Sequence, residues 1–277
     1  MRLLKQLLPV AVVAFIGGQL VAGVQDNALL TLVVGVATAV LAVFVYARMV
    51  RWSERRAPVE VALKGAPARL GVGTLIGVAW FSAVIGNIAF NGDYRVEGFG
   101  SVMGAVGLFG FMAAAALTEE LMFRGVLFRI IEGRTGTWVA MVVTSVLFGG
   151  WHLLNPDATL WGALAIAVEA GGTLAAAYAA TRNLWVPIGL HFGWNFAEAA
   201  IFSTEVSGNG QNDGLLHSTM SGPAMITGGE FGPEAAPSAI FFGIVLTAVF
   251  LWIAHRRGNL VPRRRNTQTT ATATLAQ

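Results

Sequence analysis

Long apolar runs separated by short polar breaks dominate this chain. They lie near residues 7–24, 28–47, 70–90, 101–131, 138–153, 159–181, 184–203 and 238–254. A bilayer-spanning helix needs about 20 mainly apolar residues, so the pattern predicts about eight such helices. The fourth run is longer than a span requires and polar in its second half, which predicts a helix that emerges from the bilayer or bends. The fifth is short and stops at Asn155-Pro156-Asp157, a sequence that favours a break. No internal repeat is evident. Residues 1–265 read as a single helical domain, and residues 266–277, rich in Thr, Ala and Gln, read as a disordered tail.

Composition sharpens this picture. Of 277 residues, 55% are hydrophobic and only 12% charged, where a soluble domain carries about a quarter charged residues. A soluble enzyme, a disordered chain and a nucleic-acid-binding domain all fit poorly. The expected fold class is all-α, a polytopic transmembrane helical bundle, with the lipid bilayer as its first partner. There is no cysteine, which removes disulfides, Cys-ligated zinc and a thiol nucleophile.

The net charge of +3 could signal an anionic partner, but in a membrane protein excess Lys and Arg encodes orientation. Arg2 and Lys5 precede the first run. Arg48, Arg51, Arg55, Arg56, Lys64 and Arg69 fill the break after the second. Arg129, Arg134 and Arg182 follow the fourth and sixth, and Arg256, Arg257, Arg263, Arg264 and Arg265 follow the eighth. All fall on one side of an eight-span topology. Arg95 alone lies in an opposite loop, and Arg124 lies within the fourth run. The positive-inside rule then places both termini in the cytoplasm. The outer loop 204–237 carries Glu205, Asp213, Glu230 and Glu234 and no Lys or Arg. The first run also fits a signal peptide, whose removal would leave the other orientations unchanged.

Ionisable residues within the apolar runs are functional candidates, because a charge at mid-membrane costs a few kcal/mol or more. They are Glu119, Glu120 and Arg124 in the fourth run, His152 ending the fifth, Glu169 in the sixth, and His191 with Asn195 in the seventh. At ~1.5 Å per helical residue, Glu119, His152, His191 and Asn195 lie ~18, ~21, ~10 and ~16 Å from the cytoplasmic ends of their runs. That shared layer predicts convergence on one cavity, expected to open toward the cytoplasm. Glu120 and Arg124 are i,i+4 and can pair along one face, a structural role that leaves Glu119 on the adjacent face. Gly149, Gly150 and Gly193 would permit close helix approach. Singly, His152 and Asn195 are equally explained as interhelical hydrogen bonds. Glu169 is expected to be structural or hydrated, Glu198 to sit near the outer interface, and His217 and His255 to be solvated.

Three motifs occur in order: Glu119-Glu120-Leu121-Met122-Phe123-Arg124, then Phe148-Gly149-Gly150-Trp151-His152, then His191-Phe192-Gly193-Trp194-Asn195. Together they resemble the CPBP family of intramembrane proteases (CAAX proteases and bacteriocin-processing enzymes, also called Abi), with its EExxxR, FxxxH and HxxxN pattern. The resemblance covers a core of about 101–203. It implies an endopeptidase acting within or beside the membrane on a membrane-associated peptide or protein. Glu119 and His152 would activate water, His191 and Asn195 would stabilise the oxyanion, and Glu120 with Arg124 would support them. A carboxylate shielded from bulk water becomes a better base, and preorganised donors act strongly in a low-dielectric site.

A metal site is the second option for the same residues. Glu119, His152 and His191 would supply a carboxylate and two imidazoles to a divalent ion such as zinc, leaving a position for water. No HExxH or GxSxG sequence is present. From another functional class, a non-catalytic membrane scaffold or immunity protein fits the composition, as does a transporter. A transporter should show broken helices in related halves, and no such symmetry is visible. Prenylated CAAX tails and bacteriocin-type peptides are both compatible substrates, the oligomeric state is not encoded legibly, and the short basic loops suit a bacterial inner membrane.

Overall fold

The computed structural model describes residues 2–210 and 212–263; the tail 266–277, read above as disordered, lies outside the described residues. Eight long helical segments form one bundle: α1 (Arg2–Ala22), α2 (Ala28–Glu54), α3 (Ala66–Phe90), α4 (Val102–Thr135), α5 (Thr137–Trp151), α6 (Leu160–Thr181), α7 (Trp185–Phe196) and α8 (Pro237–Arg256). Side-chain caps start several of them: Asn27 accepts from Leu30 N at 3.1 Å, Ser101 from Gly104 N at 2.8 Å, and Thr159 from Gly162 N at 2.9 Å. Each satisfies a backbone donor that has no partner inside its own helix.

Seven of these segments are long and apolar enough to cross a membrane. The expected eighth, α7, is not. It has twelve residues of α-helix prolonged by a π turn over Ala197–Ile201. Nearly all of it is buried, so its length is set by protein packing rather than by lipid. The sequence boundaries also move outward at α1, α2 and α4, because helices continue through polar residues beyond the apolar run. The long fourth segment does not break; it passes through eight residues of π geometry, Leu121–Phe128, and resumes as α-helix.

Glycines set the tightest helix contact. On α3, Gly73 and Gly77 lie against the backbone of α7 at Val186 and Leu190, while on α7, Gly189 and Gly193 lie against α3 at Leu70 and Thr74. A Cβ at any of the four would strike a backbone oxygen. This is reciprocal small-xxx-small packing. Residues 191 and 195 are about 200° around the helix from 189 and 193 respectively, so the glycine face is pressed onto α3 while His191 and Asn195 point the other way.

The bundle has two dissimilar ends. At the basic end, α1, α2, α4, α6 and α8 are tied by polar contacts. Arg129 of α4 binds Glu54 of α2 at 2.7 and 2.8 Å and Gln6 of α1 at 2.6 Å. Arg182 binds Glu132 and the carbonyl of Asn259, and Thr137 N donates to Val261 O at 3.0 Å. At the other end, the 204–237 loop folds onto the helices. An otherwise all-α architecture acquires a small antiparallel sheet there, β1 (Tyr94–Phe99) with β2 (Leu216–Met220), irregular between Val96 and Gly98. Phe231 inserts against Gly162 of α6, and Trp161 Nε1 donates to Ala235 O at 2.8 Å.

Candidate active site

Glu119, His152, His191 and Asn195 all line one cavity of about 650 Å³. The convergence expected from their depths is present, and it draws on α4, the turn after α5, and α7. The direction of opening differs from expectation. Gln25, Asn209 and Asp213, all exposed, form part of the wall, so the cavity opens at the loop end and not toward the basic end. The basic end is sealed: Tyr46 donates to Glu60 at 2.6 Å and to Gly125 O at 3.0 Å, and Phe128 packs edge-on against Tyr178 at 5.5 Å between centroids.

Glu120 and Arg124 are fully buried and pair at 2.7 Å. Arg124 also reaches the carbonyls of Ala170 at 3.4 Å and Gly171 at 3.3 Å, and stacks over Phe148 at 4.4 Å. It therefore ties α4 to the π turn Ala167–Gly171 of α6. Glu120 does more than pair. Its Oε1 also accepts from His191 Nδ1 at 3.0 Å, a contact across 71 positions that no local spacing reveals. This carboxylate fixes the ring so that Nε2 faces Glu119, whose Oε2 lies 3.9 Å away and is buried without a hydrogen-bond partner. His152 is oriented by its own helix, with Nδ1 against Phe148 O at 2.8 Å. Donation from Nδ1 leaves Nε2 as the acceptor. Both imidazoles flank the Phe148 ring, at 4.9 Å for His152 and 5.8 Å for His191.

The metal option requires three ligands at bonding distance around one point. Among the described residues, no group of three His, Cys, Asp or Glu is arranged to hold an ion. Glu119, His152 and His191 share a cavity without forming such a set.

Several residues on the cavity wall carry no sequence motif. Trp80 of α3 and Trp194 of α7 pack with their rings tilted by 54° and centroids 4.2 Å apart. Glu234, from the outer loop, is buried on the wall and accepts from Trp194 Nε1 at 3.1 Å and from Ser207 Oγ. The one available signal for Glu234 is its setting, Phe231-Gly232-Pro233-Glu234-Ala235-Ala236, an apolar stretch inside a polar loop. Glu198, expected near the interface, is fully buried, because the loop covers the end of α7. Glu169 is fully buried as well, and neither carboxylate has a hydrogen-bond partner. His217 and His255 are exposed, as anticipated.

Residues 101–197 match the family model described as type II CAAX prenyl endopeptidase Rce1-like. The resemblance to the CPBP family holds. The match spans all three motifs of the CPBP-like core, from Glu119 to Asn195. The chain is also 28% identical over 155 residues to a Bacillus subtilis (strain 168) protein named "Putative membrane peptidase YdiL". That alignment covers 51% of this chain and 61% of the relative, so it spans about three fifths of that protein. No solved structure matches the chain. With seven helices of membrane-spanning length and apolarity, the chain is an integral membrane protein.

Proposed function

We propose that this protein is an intramembrane endopeptidase that hydrolyses a peptide bond in the cavity with water activated by Glu119 and His152. The observation that carries the reading is the arrangement of an unpartnered Glu119 carboxylate oxygen, 3.9 Å from His191 Nε2, in a cavity shared with His152 and Asn195. A water between Glu119 and His152 Nε2 gives its proton to the carboxylate as its oxygen attacks the carbonyl carbon. The tetrahedral oxyanion is met by the Asn195 amide and by His191. With Nδ1–H directed at Glu120, His191 Nε2 donates to the oxyanion when the ring carries both protons. The C–N bond then breaks. Glu119 returns its proton to the leaving amine, and the other product departs as a carboxylate.

Glu120 and Arg124 are positioning residues in this scheme. By the positive-inside rule the basic end faces the cytoplasm, so the cavity takes its substrate from the opposite side of the membrane. The test is reconstitution of the purified chain with a mixed peptide library. Wild type is expected to generate new termini, with Glu119→Gln and His152→Ala reduced by about 10²–10⁴. Equal cleavage by wild type and Glu119→Gln overturns the reading and leaves a scaffold.

A further inference from the structure

The cavity is charged on one side only. Its walls include Glu119, Asp213 and Glu234, and among the described residues no Lys or Arg lines it. Behind Glu234 stand Glu198 and Glu169, near enough to act on each other electrostatically. None of these three carboxylates pairs with a cation among the described residues. Glu198 is fully buried beside Glu234 and Trp194, so among the described residues the acidic group meets no cation.

We propose that the cavity selects a cationic peptide segment, with Glu234 receiving a Lys or Arg side chain close to the scissile bond. This rests on the proteolytic reading of the same cavity. Glu234 accepts from two neutral donors, Trp194 Nε1 and Ser207 Oγ, with Glu198 beside it; a carboxylate has about four acceptor sites, so lone pairs remain for a further donor. Its backbone is fixed. Trp161 clamps Ala235 O, Gly208 N donates to Phe231 O at 2.9 Å, and Asn155 donates to Ser207 O at 2.6 Å. A preorganised carboxylate of this kind binds a cation without first ordering a loop.

The wall beside it suits the rest of such a side chain. Trp80, Trp151 and Trp194 line the cavity, offering faces for an aliphatic stem and for a cation over a ring. Trp80 is 5% exposed and its Nε1 has no acceptor among the described residues. The same charge distribution disfavours a substrate that presents a free C-terminal carboxylate, since like charges across an interface are repelled. The substrate is therefore an internal basic segment.

The test uses the purified full chain and peptides identified by Glu119-dependent cleavage. Each is resynthesised with its Lys acetylated or its Arg replaced by citrulline. Neutralising the cation is expected to lower kcat/KM about tenfold in wild type, and Glu234→Gln is expected to abolish that difference. Equal rates for charged and neutralised peptides in wild type overturn the proposal while leaving proteolysis standing, and that comparison decides even if Glu234→Gln fails to fold. A charge preference that persists in folded Glu234→Gln overturns the assignment to Glu234. If no peptide is cleaved in a Glu119-dependent way, the proteolytic reading fails and this proposal falls with it.

Discussion

Carboxylates withdrawn from solvent occur at both ends of the bundle and are handled in opposite ways. At the basic end Glu54 is met by Arg129 and Arg56, Glu60 by Arg56 and the Tyr46 hydroxyl, and Glu132 by Arg182 and Thr137. Around the cavity Glu169 and Glu198 have no partner and Glu234 has only neutral ones. Pairing at one end holds five helices together. At the other end no such pairing is made, and Glu234 lies on the cavity wall. The acids of the basic end are met by cations, whereas among the described residues Glu169, Glu198 and Glu234 meet none. Glu120 sits between the two regimes, neutralised by Arg124 yet also orienting His191.

That contrast can be broken from several directions. The largest effect is expected from Arg124→Ala, which strands Glu120 in a fully buried position. Removing one partner of a buried pair costs about 3–5 kcal/mol, so folded yield and thermal stability in detergent should collapse. Normal stability with lost cleavage would mean that the pair serves chemistry alone. Next, Glu132→Gln should lower stability by about 1.5–3 kcal/mol through loss of its charged hydrogen bonds. Glu169→Gln and Glu198→Gln should leave it unchanged or raise it, since an unpaired buried charge is unfavourable. Destabilisation by all three would erase the distinction between the ends.

Glu120→Gln keeps the shape of the side chain and removes the charge that orients His191. Cleavage is expected to fall about 10–100-fold, as for other residues that orient a reactive group. Its pH–rate profile should change as well, because the carboxylate 3.0 Å from His191 Nδ1 is gone; an unaltered profile would assign Glu120 to packing.

A smaller effect comes from pH. Burial opposes ionisation of Glu60, but hydrogen bonds from Arg56 and Tyr46 outweigh it and hold the carboxyl below its ordinary value. A depressed native pKa stabilises the fold above the ordinary carboxylate pKa of about 4.3, and that stabilisation is lost as pH falls through the native value. Melting temperature should therefore drop more steeply in acid for wild type than for Glu60→Gln. Parallel curves would deny the pairing its role.

Much of the site was legible because membranes make polar residues expensive. Glu119, His152, His191 and Asn195 stand out against apolar runs, and their depths predict one layer. Of the glycines expected at close helix approaches, Gly193 meets α3 and Gly149 meets α6, but Gly150 meets nothing within 4 Å, and Gly73, Gly77 and Gly189 emerge only from the fold. Long-range relations were not legible. The Glu120–His191 contact spans helices, and Glu234 enters from a loop whose sequence looks like solvated connection. The sheet pairs residues 94–99 with 216–220, too short and too far apart for either strand to announce the other. The cavity mouth was misplaced because depth along a helix does not tell which end is sealed. Here the ion pairs and the Tyr46, Phe128 and Tyr178 packing close the basic end. Only the folded loop reveals that Glu198 is interior.

The most direct measurement compares new peptide termini in membranes carrying wild type or Glu119→Gln at matched abundance. Proteolysis in this cavity requires termini that appear with wild type and are absent with the variant. Indistinguishable profiles, with both proteins folded and abundant, would contradict it.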